Sequence, residues 1–193
     1  MFKSIECNNL SEIQNFLKNE ILSEFDLEDP KHPVMCWLVR QDRLDLVEKV
    51  NSNPYISELL TDLNISDYIL DYGIMCVPPQ KGIPAHIDGN DPVNQLGHYV
   101  NPWRVLIPIS GAENTVTKFF ESSKPPIRKT AQRADGAREV YDEFDPKYLT
   151  LTEEHSSEGV YMIDTSKVHS ADNPTDNYRI HFWICSKDDA PLP

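Results

Sequence analysis

The chain offers no apolar run near the roughly 20 residues that a membrane-spanning helix needs. Its first residues, MFKSIECNNLSEIQ, lack the unbroken apolar stretch of a secretion signal. Cysteine is sparse. Cys7, Cys36, Cys76 and Cys185 are widely scattered with no CxxC pair, which weakens zinc-ribbon and disulfide-scaffold readings and points to a reduced, cytoplasmic compartment. Basic residues are few, 18 Lys and Arg against 31 Asp and Glu, for a formal net charge of −13. That balance argues against non-specific binding to nucleic acid or to an acidic membrane, because like charge repels phosphate. Only seven glycines stand beside 15 prolines, so short turns and extended segments are expected. No internal repeat and no low-complexity tract is present. What remains is globular composition, 39% hydrophobic and 25% charged over 193 residues, enough for a single domain spanning 1–193 with its own core.

The first third, 1–66, reads as helical support. Ser11 is placed to cap SEIQNFLKNEILSEF, in which Ile13, Phe16, Leu17 and Ile21 recur at helical spacing. RLDLVEKV and ISELLTDLN are two further helical patches, and HPVMCWLVR between the first two reads as a short buried strand. From about Tyr68 the pattern changes to short β-rich runs bounded by turn residues: YGIMCVPP, IPAHID, WRVLIPIS, NTVTKFFES, YLTLTEE, EGVYMID and YRIHFWICS. Their spacing predicts an antiparallel all-β unit and gives no support to a βαβ repeat. One long interruption, about 122–143, carries Lys124, Arg128, Lys129, Arg133 and Arg138 after Pro125-Pro126. It reads as a long loop, either a solvated insert or a lid facing a substrate.

The chemistry concentrates in His86-Ile87-Asp88, His169 and Arg179. In an extended segment, residues i and i+2 project from one face, so His86 and Asp88 point the same way. A third ligand from a distant strand, His169, closes a triangle of two imidazoles and one carboxylate. Such a triad leaves adjacent positions of an octahedral ion open, the arrangement of mononuclear non-haem Fe(II) sites that activate O2. Zinc is the less telling occupant of the same ligands. Arg179 opens the apolar strand RIHFWI ten residues after His169. A cation in that setting needs an anion, either a bound carboxylate or one of the chain's many acids, and its planar fork suits a carboxylate.

HxD, a distal histidine and an arginine about ten residues on resemble the Fe(II)/2-oxoglutarate-dependent dioxygenase superfamily, over roughly Tyr68 to Ser186. Within it, WRVLIPIS and VHSADNPTDNYRIHFWI are most similar to the aspartyl/asparaginyl β-hydroxylase and bacterial proline hydroxylase branch. The resemblance implies a mainly β fold, a double-stranded β-helix (jelly-roll, cupin-like) core over 67–187, with the N-terminal helices packed on one sheet. It implies His86, Asp88 and His169 as ligands of Fe(II), and Arg179 as the partner of the distal carboxylate of 2-oxoglutarate. It also places Arg104 near a carboxylate of substrate or cosubstrate. The branch often has a histidine two residues after that arginine. Here the position is Leu106, which leaves the second cosubstrate anchor unassigned and brings in Tyr72 as a candidate donor. The intact Asp88 favours hydroxylation over halogenation.

The activity implied is oxidation by O2 of an amino-acid side chain, free or in a peptide, with release of succinate and CO2. The competing readings are a metal-binding cupin-like module and a cupin enzyme that does not use 2-oxoglutarate. A nucleobase-oxidising relative is disfavoured by the acidic charge and by the missing second arginine in RIHFWICSKDD. Among the remaining polar residues, His181 reads as a core histidine, His98 as a loop residue able to reach substrate and His155 as surface. Asp164 and Thr165 read as turn-capping or imidazole-orienting groups. Thr117 and Lys118 lie on opposite faces of one strand, so at most one points inward.

Overall fold

The computed structural model describes residues 1–25, 34–39, 42–88, 100–132 and 138–192. Among these, α1 (Leu10–Phe16) continues through a π turn, Leu17–Ile21, and a short 3-10 turn. Ile13, Leu17 and Ile21 recur every fourth residue along this unit and are fully buried. Ser11 does not cap it: Asn9 precedes α1 without a side-chain cap, and the Ser11 hydroxyl binds Glu12 instead. α2 (Leu44–Ser52) and α3 (Pro54–Asp62) meet at Asn53, whose extended backbone ends the first. Its side-chain oxygen accepts from the amides of Tyr55 and Ile56, and Pro54 takes the first helical position, where no N–H is needed.

Twelve strands follow the chain as β1 (Phe2–Ile5), β2 (Val34–Trp37), β3 (Ile69–Val77), β4 (Lys81–Ile87), β5 (Val100–Ser110), β6 (Val116–Ser122), β7 (Ile127–Gln132), β8 (Arg138–Glu143), β9 (Leu149–Ser156), β10 (Val160–Asp164), β11 (Val168–Asn173) and β12 (Arg179–Lys187). They form two antiparallel six-stranded sheets, β1-β10-β5-β12-β3-β2 and β7-β8-β4-β11-β6-β9. From β3 to β6, and again from β9 to β12, successive strands alternate between the sheets, β7 and β8 being inserted on the second. This winding is a double-stranded β-helix, so the mainly β jelly-roll expectation holds.

Strand alternation sorts the core into two layers. Tyr72 and Ile74 on β3, Val105 and Ile107 on β5, and Phe182 and Ile184 on β12 face outward and pack with Ile13, Leu46, Ile56 and Leu60 of the helices. The intervening residues Met75, Leu106, Tyr161 and Trp183 point into the space between the sheets, where Phe119 of the second sheet meets them. The helices thus cover one sheet, as expected, and the chemistry faces the other way.

Three features depart from the sequence reading. The 122–143 interruption is not a loop throughout: β7 and β8 pair as a hairpin that extends the second sheet beyond β4, with Glu143 in register with His86. The Lys129–Glu143 and Arg128–Asp142 ion pairs lie on this hairpin. Arg133 and His98 lie outside the described residues. The N-terminal β1 joins the edge of the first sheet at β10, and Phe2 stacks on His155 (4.1 Å, 5°) and on Tyr161. His155 is therefore half-buried, closing the seam between the sheets, rather than a surface residue.

Candidate metal and anion site

His86 and His169 are register partners on β4 and β11, at the mouth of the space between the sheets. Their Nδ1 atoms lie 2.7 Å from the Pro84 carbonyl oxygen and 2.9 Å from that of Lys167. A carbonyl only accepts, so each ring donates from Nδ1, and the neutral ring keeps a lone pair on Nε2. Both Nε2 atoms turn towards Asp88, at 3.3 and 3.8 Å from its Oδ1. The donor atoms of the three residues all lie within 4.8 Å of one another. Two bare imidazole nitrogens and a carboxylate oxygen in this arrangement fit a divalent transition ion with open positions.

Asp88 is fixed from behind. Its amide donates to the Thr165 carbonyl (3.2 Å), and the Thr165 amide and hydroxyl both bind the Pro102 carbonyl (2.9 and 2.7 Å). Thr165 therefore acts on the carboxylate through the backbone, and Asp164 caps the turn by accepting from the amide and hydroxyl of Ser166. Burial alone would raise the Asp88 carboxyl. The neighbouring His86 and His169, which would carry the proton in its place, and the Arg104 charge outweigh it and hold the group well below the ordinary carboxylate range. Burial, reinforced by neighbouring His86, pushes His169 down to about 4. The resting site is therefore an anionic carboxylate beside a neutral His169, the protonation state a cation requires.

Arg179 lies at the other end of the same cleft and is fully buried. Its Nη1 donates to the carbonyls of Val116 (3.0 Å) and Asp172 (3.1 Å). Its Nη2 reaches the hydroxyls of Thr117 (3.1 Å), Ser157 (2.7 Å) and Tyr161 (3.3 Å). Among the described residues Arg179 forms no ion pair with a carboxylate, and its Nε is buried without a hydrogen-bond partner. A buried guanidinium held only by neutral oxygens keeps its charge uncompensated, a state costing several kcal/mol that an incoming anion relieves. Between the triad and Arg179 the cleft wall is apolar, with Met75, Ile83, Leu106, Ile163 and Trp183.

Arg104 also lines this cleft, at the metal end, where its charge is felt by Asp88 and His169. Of the pair on β6, Thr117 points inward to Arg179 and Lys118 points outward to Asp172 and Glu154. His181 is the core histidine expected. It is fully buried, 3.3 Å from the Ser157 carbonyl through Nε2, and held neutral by burial and by Arg179. Tyr72 is not part of the site. It lies on the helix-facing side of β3, where its hydroxyl donates to the Asn51 side chain of α2 (2.6 Å) and its ring stacks on Phe182. Leu106, by contrast, does face the cleft, so the position where the resembled branch carries a histidine is apolar here.

Ser157 and Tyr161, two of the three hydroxyls on Arg179, were not singled out by the sequence. Tyr161 carried a signal, a phenol alternating with Val160 and Met162 on a buried strand. Ser157 sits in the β9–β10 turn and carried none.

No family model matches the sequence, and no curated protein matches it. Solved structures with a similar course of the chain include AviO1 from Streptomyces viridochromogenes Tue57 (15% identity, 100% of this chain and 91% of that one, TM-score 0.48). The non-heme alpha-ketoglutarate-dependent carbocyclase SnoK from nogalamycin biosynthesis is 14% identical over 97% of this chain and 79% of its own, TM-score 0.48. The epimerase SnoN, solved in complex with Fe3+, alpha-ketoglutarate and nogalamycin RO, is 12% identical over 97% and 78%, TM-score 0.48. At such distances, statements about this chain's chemistry rest on its own side chains.

Proposed function

We propose that the protein is an Fe(II)- and 2-oxoglutarate-dependent dioxygenase. The observation that carries this reading is the pairing, in one cleft, of a three-donor metal set with a buried Arg179 that has no carboxylate partner among the described residues. A metal-only module has no use for the second half of that pair, since keeping a guanidinium desolvated without a counter-ion is costly. A dicarboxylic 2-oxo acid answers both ends: one end chelates a metal and the other meets the guanidinium.

His86, Asp88 and His169 would hold the iron through Nε2, a carboxylate oxygen and Nε2. Bound iron with 2-oxoglutarate and O2 supplies the oxidising chemistry, in which the cosubstrate loses CO2 to become succinate and a substrate C–H bond is oxidised. The chain's own residues bind and exclude. Arg179 with Thr117, Ser157 and Tyr161 anchors the distal carboxylate, and the apolar wall keeps water from the methylenes. Arg104 is the second anchor we assign, for a carboxylate of cosubstrate or substrate at the metal end, since Leu106 is apolar, Tyr72 faces the helices, Thr117 serves Arg179 and Lys118 points outward.

The substrate we infer, from the sequence resemblance, is an amino-acid side chain, free or in a peptide, undergoing hydroxylation. Residues 67–187 would form the catalytic core and 1–66 its support. Succinate release above background, screened across free amino acids, peptides and oligonucleotides, tests the substrate class. Coupling to oligonucleotides alone would overturn it.

A further inference from the structure

Gly73 on β3 and Trp183 on β12 are register partners, and Trp183 pairs on its other side with Leu106 of β5. The three occupy one row across the floor of the first sheet, with the Trp183 and Leu106 side chains lining the cleft. The indole does not stand upright in this row. A Cβ built on Gly73 would lie 2.1 Å from Trp183 Cζ2 and 2.3 Å from its Cε2, well inside van der Waals contact, and 2.6 Å from the Cys36 carbonyl oxygen. The ring therefore occupies the space a side chain at residue 73 would fill, leaning away from Leu106 into a notch in the sheet. Gly73 takes no positive φ, so the requirement for glycine here is space and not backbone conformation.

The row's level in the cleft gives it a consequence. Along β12, Cys185 is in register with Arg104 at the metal end, Trp183 comes next, and Arg179 lies four residues beyond Trp183 at the anion end. A molecule reaching from the triad to Arg179 passes Trp183 on its way, two residues along the strand from the Arg104 level and four short of Arg179. If the site takes 2-oxoglutarate, its methylenes run along this stretch.

We propose that Trp183 is the residue that selects an unsubstituted cosubstrate chain, and that Gly73 is the positioning residue that sets the indole at the depth where 2-oxoglutarate passes and a substituted homologue does not. This rests on the 2-oxoglutarate reading of the site. A flat, rigid ring packed into a fixed notch cannot retreat, so a methyl group added to the cosubstrate meets it directly. An added side chain at residue 73 would drive the ring the other way, into the path of the parent diacid.

The test measures binding by calorimetry under anaerobic conditions, on the full chain loaded with Fe(II), for 2-oxoglutarate and 3-methyl-2-oxoglutarate. The wild type is expected to prefer the parent diacid by about tenfold or more, the usual worth of one misfit methyl in an apolar pocket. Trp183→Leu should collapse that preference, read as the ratio of the two affinities and not as the affinity for 2-oxoglutarate alone. Gly73→Ala should weaken 2-oxoglutarate by about tenfold or more, and adding Trp183→Leu to it should recover much of the loss. The Trp183→Leu ratio decides the matter even where Gly73→Ala does not fold. An unchanged ratio in Trp183→Leu, or a wild type indifferent to the methyl group, overturns the proposal. A wild type that binds the iron but no 2-oxoglutarate overturns the cosubstrate reading itself, and this proposal with it.

Discussion

The imidazoles of His86 and His169 face each other across the β4–β11 ladder, with ring centroids 4.5 Å apart and planes tilted by 44°. Each ring is turned by its own strand, because each Nδ1 is held by the carbonyl two residues earlier in the chain. The orientation of both rings is thus set by the backbone of their own strands.

It follows that removing a ligand should cost metal and not fold. His86→Ala and Asp88→Ala are each expected to abolish stable Fe(II) binding in equilibrium dialysis while remaining folded at room temperature, since both side chains are partly exposed at the mouth of the cleft. Unfolding of either variant at room temperature would contradict this.

Arg179 stands differently, because its burial is complete. Arg179→Ala should weaken 2-oxoglutarate by about 2–5 kcal/mol, the cost of truncating one partner of a desolvated charge pair. Isothermal titration of the metal-loaded protein reads it, with Fe(II) affinity as the internal control. Arg179→Lys keeps the charge without the fork and should fall between the two.

Tyr72→Phe separates the two faces of β3. It removes the bond to Asn51 and should lower stability by about 1 kcal/mol, with cosubstrate affinity unchanged. A drop in affinity would return Tyr72 to the site.

The buried His181 predicts an acid limb of stability. Its folded-state pKa lies well below the ordinary 6.5 because burial and Arg179 oppose its charge; Arg179 and Tyr161 are its charged and titratable neighbours. Stability from keeping it neutral is complete above pH 6.5 and declines as pH falls below it, by at most about 1.4 kcal/mol per pH unit. Chemical denaturation from pH 7.5 to 5 should show a shallower decline in His181→Gln. Equal slopes would show that other groups govern the acid limb.

Much of this site was legible in sequence because it obeys short rules. His86 and Asp88 share a face by the alternation of a strand, and Arg179 announces itself as a cation in an apolar run. The face of Tyr72 was not legible. β3 is buried on both sides, so no polar alternation marks which residues meet the helices and which meet the cleft. The β7–β8 hairpin was hidden for the opposite reason: IRKTAQ and REVYDE mix charged and apolar residues without strand alternation, and the two strands are defined by pairing with each other and with β4. β1 spans only four residues, and its partner β10 lies more than 150 residues away, a pairing that no local pattern encodes.

The most direct measurement is an anaerobic titration of the Fe(II)-loaded protein with 2-oxoglutarate, followed by visible absorption. A weak visible charge-transfer band is expected that saturates at one equivalent and is lost in Arg179→Ala at the same ligand concentration. Tight iron binding with no band on addition of 2-oxoglutarate would contradict the 2-oxoglutarate reading.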